Sequence, residues 1–146
     1  MIKIKNKMMM ETIDYSRFVP VKGQNVDYWL NVESVSDFPD NGGLCFKHEA
    51  LQIAVFNFSS RKEWYACQNL CPHKMQMILA RGMIGSQSGE PKVACPFHKK
   101  TFSLKTGECL NGDECAIVTF PVREENGEVY VGLKLAGDVL QENLTL

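Results

Sequence analysis

The amino-acid sequence predicts an all-β protein with a single domain, and three observations support this expectation. The apolar stretches are short, rich in β-branched and aromatic residues, and separated by turn-forming residues. The sequence has no long helical pattern and no internal repeat. Its 146 residues suffice for one domain with a substantial core. We therefore expect an antiparallel β-sandwich.

The expected strands follow one another closely along the chain. WLNVES (29–34) ends at DFPDNGG, whose Asp-Asn-Gly-Gly run favours a tight turn. LCFKHE (44–49) and LQIAVFNFS (51–59) are expected to pair as a hairpin, and EWYACQNL (63–70) leads into a first hairpin loop at 71–75. The stretches expected to complete the sheet, around a second hairpin loop at 95–101, are KVACP (92–96), FSLKTGECL (102–110), AIVTFPVRE (116–124) and EVYVGLKLA (128–136).

Each of the two loops pairs a cysteine with a histidine, in the motifs CPHK and CPFHKK. Two thiolates and two imidazoles are a complete ligand set for a zinc ion or for a Rieske [2Fe-2S] cluster. Zinc fingers usually pair Cys with Cys and His with His. A Rieske cluster instead lies between two loops that each give one ligand to each iron. The mixed pairs favour the Rieske cluster, with Cys71 and Cys95 on one iron and His73 and His98 on the other.

The other cysteines allow a second interpretation. Cys67 and Cys71 have the spacing Cys-x3-Cys, and Cys109 and Cys115 have the spacing Cys-x5-Cys, which sirohaem reductases use to bind a [4Fe-4S] cluster. Their order here is reversed, and that site would take Cys71 away from its histidine. We therefore expect Cys67, Cys109, Cys115 and Cys45 to be thiols outside the metal site, as is usual in a reducing compartment.

The ligand loops resemble those of Rieske ferredoxin-like domains. More specifically, GEPKVACPFHKKTFSLKTGECLNGD and the preceding CPHKMQMILARGMIG are similar to the small-subunit family of the assimilatory NAD(P)H-dependent nitrite reductases, over about residues 28–133. The resemblance implies an electron-transfer subunit with the four ligands named above. It also implies a large catalytic subunit that carries FAD, a [4Fe-4S] cluster and sirohaem and reduces nitrite to ammonium. The isolated chain is expected to be non-catalytic.

Two other functions stay open at this stage. One is a free-standing Rieske ferredoxin that donates electrons to an aromatic-ring or other oxygenase, although Lys99 stands where those ferredoxins often have glycine. The other is a zinc-stabilised or metal-free interaction module.

Composition and the chain ends complete the expectations. Because Lys+Arg 16 and Asp+Glu 17 nearly balance, neither nucleic acid nor a membrane is an expected partner. The N-terminus lacks the apolar run of a secretory signal, so we expect a cytoplasmic protein. The expected organisation is a partly disordered extension at 1–27, a Rieske domain at 28–135 and a tail at 136–146.

Overall fold

The computed structural model describes residues 26–48, 51–72, 76–97, 99–112 and 114–133. These residues form β-strands and two short 3-10 turns, at Val35–Asp37 and Leu79–Arg81, which confirms the predicted all-β class. No helix in these ranges is long and apolar enough to cross a membrane. The strands are β1 Tyr28–Ser34, β2 Gly42–His48, β3 Leu51–Phe58, β4 Glu63–Gln68, β5 Leu70–Cys71, β6 Gln76–Met77, β7 Met83–Gln87, β8 Glu90–Ala94, β9 Thr101–Ser103, β10 Thr119–Phe120, β11 Val122–Glu125 and β12 Glu128–Leu133.

The terminal segments and both histidines of the predicted site lie outside the described residues. This applies to the expected extension up to residue 25, to the tail, and to His73 and His98. The domain boundaries stay a prediction.

The strands pair antiparallel in four small sheets. A central sheet has the order β10-β4-β3-β2, and a second sheet has the order β1-β12-β11. A third sheet has the order β7-β8-β9, while β5 and β6 pair with each other. The expected hairpin of β2 and β3 forms in full, from Gly42 opposite Asn57 to His48 opposite Leu51.

Both faces of the central sheet are covered, and each face carries its own buried core. Ile53 and Val55 of β3 face one core, whereas Ala54 and Phe56, which alternate with them, face the other. A strand buried on both faces has few positions for polar residues. This explains why LQIAVFNF is almost continuously apolar rather than alternating.

We call these two groups of buried residues the first core and the second core. The first core consists of Val32, Phe38, Phe46, Ile53, Val55, Ala66, Val118, Phe120, Val129, Val131 and Leu133. The second core consists of Ala54, Phe56, Phe58, Cys67, Cys71, Leu79, Val93, Cys95, Phe102, Leu104 and Ile117. Burying one valine, leucine, isoleucine or phenylalanine side chain contributes about 1.5–3 kcal/mol, so each core stabilises the fold substantially.

Two of the expected strands are interrupted. FSLKTGECL is extended only at β9, because the Ser103 hydroxyl accepts the Lys105 and Thr106 amides at 3.1 Å each and starts a turn. Gly107 then has φ 84°, and a Cβ there would lie 2.2 Å from the Ile117 carbonyl oxygen. AIVTFPVRE is split at Pro121, so that β10 pairs with β4 and β11 with β12. Proline lacks the amide that a continuous ladder would need.

Candidate metal centre

The first predicted ligand loop is the tip of a short hairpin. Leu70 lies opposite Met77 and Cys71 lies opposite Gln76, so residues 72–75 connect the two strands as expected. The Asn69 side-chain oxygen accepts the Ala80 amide at 2.6 Å. This hydrogen bond ties the start of the hairpin to the 3-10 turn that follows it.

The second predicted ligand loop connects β8 and β9, where Ala94 lies opposite Thr101. The Cys95 amide donates to the Lys100 carbonyl at 2.8 Å, and the Lys99 amide donates to the Cys95 carbonyl at 2.9 Å. These two bonds join the ends of the loop, so the chain reverses direction between Cys95 and Lys100. Lys99 has φ 57°, in the left-handed region that favours glycine. The residue that departs from the ferredoxin pattern therefore adopts the conformation that a glycine would adopt.

The two hairpins meet at close range. Gly82, which follows the turn after the first hairpin, has no room for a side chain: a Cβ would lie 2.4 Å from the Ala94 carbonyl oxygen and 2.8 Å from the Val93 side chain. Ala94 directly precedes Cys95. The backbone after the first loop thus packs directly against the strand that leads into the second loop.

Cys71 and Cys95 lie in the same buried core. Both are fully buried and both belong to the second core, although residues 72–94 separate them along the chain. Of the four predicted ligands, these two are described, and the two histidines lie outside the described residues. The described part of the chain holds no group of three or more metal-binding side chains.

The two cysteines fit the thiolate half of a Rieske cluster. Thiolates are the ligands that iron-sulfur clusters require, and the surrounding apolar residues would exclude water from them. A buried thiolate without a metal or another positive partner would be unstable in such surroundings. Cys71 and Cys95 would hold the cluster, which on binding supplies one-electron transfer.

Hydroxyl groups near the second loop already have hydrogen-bond acceptors. The Thr101 hydroxyl donates to the Lys99 carbonyl at 3.3 Å, and the Ser103 hydroxyl donates to the Glu90 carboxylate at 2.5 Å. Pro72 and Pro96, which follow the two cysteines, have no amide hydrogen to donate. None of these four groups is therefore available to stabilise sulfur in the reduced state.

The cysteines outside the site form no disulfide. The structure describes all six cysteines of the chain and links none of them, as the sequence predicts for Cys45, Cys67, Cys109 and Cys115. Burial raises the pKa of Cys45, and full burial raises the pKa of Cys67 strongly. These two thiols therefore stay protonated, which makes them poor nucleophiles and poor metal ligands.

Asn111 has a supporting role that the sequence alone does not reveal. Its side-chain oxygen accepts the Thr101 amide at 2.5 Å, and the neighbouring Leu110 amide donates to the Thr101 carbonyl at 2.7 Å. Asn111 thus holds the residue at which the chain leaves the second ligand loop. Asn-Gly at 111–112 is a turn signal in the sequence. A turn signal does not show which strand the asparagine contacts.

The fold and the paired hairpins agree with one known family. The model of the Rieske-like [2Fe-2S] domain matches residues 28–132, and the chain belongs to this family. The chain is 40% identical over 132 residues to a nitrite reductase [NAD(P)H] of Emericella nidulans, a match that covers 78% of this chain and 12% of that protein. Our chain spans 11% to 13% of the length of three such long nitrite reductases.

This chain covers most of the length of two further relatives. The solution structure of the nitrite reductase [NAD(P)H] small subunit from Erwinia carotovora is 28% identical, with a TM-score of 0.63 over 74% of this chain and 83% of that chain. A 3-phenylpropionate/cinnamic acid dioxygenase ferredoxin subunit from Escherichia coli is 31% identical over 101 residues, or 68% of this chain and 88% of that protein. The chain is therefore similar both to a nitrite reductase small subunit and to a ferredoxin.

Proposed function

We propose that this chain is the electron-transfer small subunit of an NAD(P)H-dependent nitrite reductase, which reduces nitrite to ammonium in nitrate assimilation. The observation that supports this most is that two separate hairpins bring Cys71 and Cys95, both fully buried, into one core. The 40% identity to a nitrite reductase and the shared fold of a small subunit agree with the proposal.

The proposed ligand set has one residue of each kind from each hairpin. Cys71 and Cys95 would bind one iron of a [2Fe-2S] cluster, and His73 and His98 would bind the other. A cluster with all four protein ligands in place has no open position for nitrite. The chain alone is therefore proposed to transfer electrons and not to catalyse the reduction.

Catalysis is assigned to a large subunit. This partner is proposed to carry FAD, which takes electrons from the nicotinamide, together with a [4Fe-4S] cluster and sirohaem at which nitrite is reduced. The proposed complex would lie in the cytoplasm, where the nicotinamide donor is available. Neither nucleic acid nor a membrane is part of the proposal.

The surface beside the second ligand loop suits a protein partner. Phe97, in that loop, is 60% exposed, and Met83, opposite Ala94 in the neighbouring strand, is 78% exposed. Lys99, in the same loop as Phe97, is also exposed and adds a positive charge. Aromatic and methionine side chains are enriched in protein interfaces, and a positive charge steers an acidic partner toward the surface. We propose that the large subunit contacts this surface.

A second candidate function is a ferredoxin for an oxygenase. It is favoured by the similarity to the dioxygenase ferredoxin subunit, which this chain matches over 88% of that protein. The two candidates share the cluster and differ in the partner.

Reconstitution distinguishes the two functions. The chain, expressed with adequate iron, is added to a nitrite reductase large subunit prepared without it, and nitrite-dependent NAD(P)H oxidation is measured. We expect the activity to be restored or increased by the wild-type chain and by Cys45→Ser, but not by Cys71→Ser. Turnover by the isolated chain would contradict the proposal. Efficient reduction of an oxygenase, with no effect on the large subunit, would favour the ferredoxin function.

A further inference from the structure

Cys109 directly follows Glu108 and Cys115 directly precedes Ala116, and these two neighbours pair across a hairpin that the proposed function does not use. Glu108 and Ala116 form an antiparallel bridge, and the Ile117 amide donates to the Gly107 carbonyl at 2.9 Å. Continued by one position toward the turn, this register would place Cys109 opposite Cys115. Opposed residues have Cα atoms about 4.5–5.5 Å apart and side chains on one face. A disulfide accepts Cα separations of about 4.4–6.8 Å.

Of the other cysteines, those that lie in strands have no cysteine opposite them. Cys45 and Cys67 both lie opposite Ala54, from its two sides, and Cys67 lies opposite Thr119 on its other side. Cys71 lies opposite Gln76. Cys109 and Cys115 are only partly buried, as Cys45 is, so a small oxidant can reach them, whereas Cys67, Cys71 and Cys95 are buried. They are therefore suited to reversible oxidation in a way that the buried cysteines are not.

The hairpin of Cys109 and Cys115 supports the second ligand loop. Cys109 itself bridges to Phe102 in β9, and its sulfur lies 4.0 Å from the side-chain oxygen of Asn111. That oxygen also accepts the Thr101 amide, at the end of the loop. A change in the bonding of Cys109 would therefore act on the residues that hold the loop closed.

We propose that Cys109 and Cys115 form a reversible dithiol–disulfide couple that is closed by a low-molecular-weight disulfide and that stiffens the second ligand loop. In the first step one cysteine thiolate attacks the small disulfide, forms a mixed disulfide and releases one small thiolate. In the second step the other cysteine attacks the mixed disulfide and releases the second small thiolate. Two protein sulfurs are oxidised, two small-molecule sulfurs are reduced, and the two protein protons pass to the released thiolates.

The first test detects the bond in a single peptide. The full chain is equilibrated without oxygen in buffers of increasing glutathione disulfide to glutathione ratio, quenched with acid, alkylated and digested with trypsin. The tryptic peptide 106–123 contains both cysteines and no other. We expect this peptide to become two hydrogens lighter and resistant to alkylation. The peptide lacks all four proposed metal ligands, so its result is independent of the proposed function.

Single variants provide the controls. Cys109→Ser and Cys115→Ser should leave the remaining cysteine alkylated or bound to glutathione, whereas Cys45→Ser should behave as the wild type does. If the wild-type peptide keeps two alkylated cysteines, or gains two glutathione groups, across the whole series of ratios, the proposal is wrong.

The second test measures the effect on the loop. Hydrogen exchange of the backbone at 95–104 is followed by mass spectrometry in the oxidised and reduced forms. We expect exchange to be several-fold slower in the oxidised wild type, with no difference between oxidising and reducing conditions in Cys115→Ser. Equal exchange in both wild-type forms would show that the disulfide does not stiffen the loop, and would overturn that part of the proposal.

Discussion

The two cores on either side of the central sheet differ in chemistry. The first core contains only hydrocarbon side chains, and most of its residues come from strands of the central sheet and the second sheet. The second core contains three fully buried cysteines, Cys67, Cys71 and Cys95, with Cys109 and Cys115 packed against it. One sheet therefore supports an ordinary apolar core on one face and a sulfur-rich core on the other.

This difference separates stability from function. The first core has no group that requires a metal, so it can stabilise the fold by burial alone. The second core includes Cys71 and Cys95, whose ionised forms need a positive partner there. We conclude that the first core secures the β-sheets, while the second core places the ligand loops.

Removing a ligand should have the largest effect. We expect Cys71→Ser to abolish the visible absorption of the cluster, because a serine hydroxyl does not replace a thiolate as an iron ligand. Cys95→Ser should behave in the same way, and absorption spectra with iron analysis are the measurement. Cys45→Ser is the matched control, since Cys45 lies in β2 outside the second core. Loss of absorption in Cys45→Ser would show that the ligand assignment is wrong.

Truncating one apolar residue in each core tests whether the two cores have different roles. Ile53 in the first core and Leu79 in the second core are both fully buried. Each change to alanine should lower the free energy of unfolding by about 2–5 kcal/mol, measured by urea unfolding. Only Leu79→Ala should also accelerate iron loss to a chelator, because Leu79 lies in the turn after the first hairpin and in the same core as Cys71 and Cys95. If folded Ile53→Ala also loses iron faster, the claim that only the second core places the ligand loops is wrong.

The redox potential should reflect the charge of the ligands. Two neutral imidazoles in place of two thiolates make the oxidised cluster neutral, so the midpoint should lie in the Rieske range of about −150 to +300 mV. We expect the lower end, because the Thr101 and Ser103 hydroxyls already donate to other oxygens. If its cluster assembles, His73→Cys should lower the midpoint in a redox titration. An unchanged midpoint in that variant would contradict the charge argument.

We expect a small loss of stability at alkaline pH from the ionisation of Tyr65, which packs against the second core. Burial, and then the hydrogen bond to Glu63, raises the pKa of Tyr65 from its ordinary 10.0 to about 12. Between these values the folded chain holds more protons than the unfolded chain, so stability falls as the pH rises through this window.

Tyr65→Phe keeps an aromatic ring against Phe58, whose centroid lies 5.2 Å from that of Tyr65, and removes the titrating hydroxyl. Urea unfolding between about pH 10 and pH 12 should therefore show a smaller loss of stability in this variant than in the wild type. Tyr130→Phe, in β12 of the second sheet, is the control, since it removes a tyrosine hydroxyl that lies away from the second core. The same loss in the wild type and in Tyr65→Phe would refute this prediction.

Local features of the fold could be predicted from the sequence. The strand stretches at 29–34, 44–49 and 51–59 lie within two residues of β1, β2 and β3. The two loop tips could also be predicted from the sequence. Each ligand pair spans only a few residues and lies between two strands that pair directly.

Partners that are distant in the chain could not be predicted. The apolar pattern of β3 shows that both of its faces are buried, but it does not name the sheets that cover them. Pro121 signals a break, yet only the structure shows that the chain moves from the central sheet to the second sheet at that residue. The same limit applies to Asn111, and to the register that would place Cys109 opposite Cys115, since both depend on how the turn after β9 folds back.

The central claim is that two hairpins hold a [2Fe-2S] cluster between them, and metal analysis tests it most directly. The wild-type chain, expressed with adequate iron and purified without oxygen, is analysed for iron, zinc and acid-labile sulfide, and its visible and EPR spectra are recorded. We predict two irons and two sulfides per chain, with a red-brown colour. One zinc and no sulfide per chain would contradict the account.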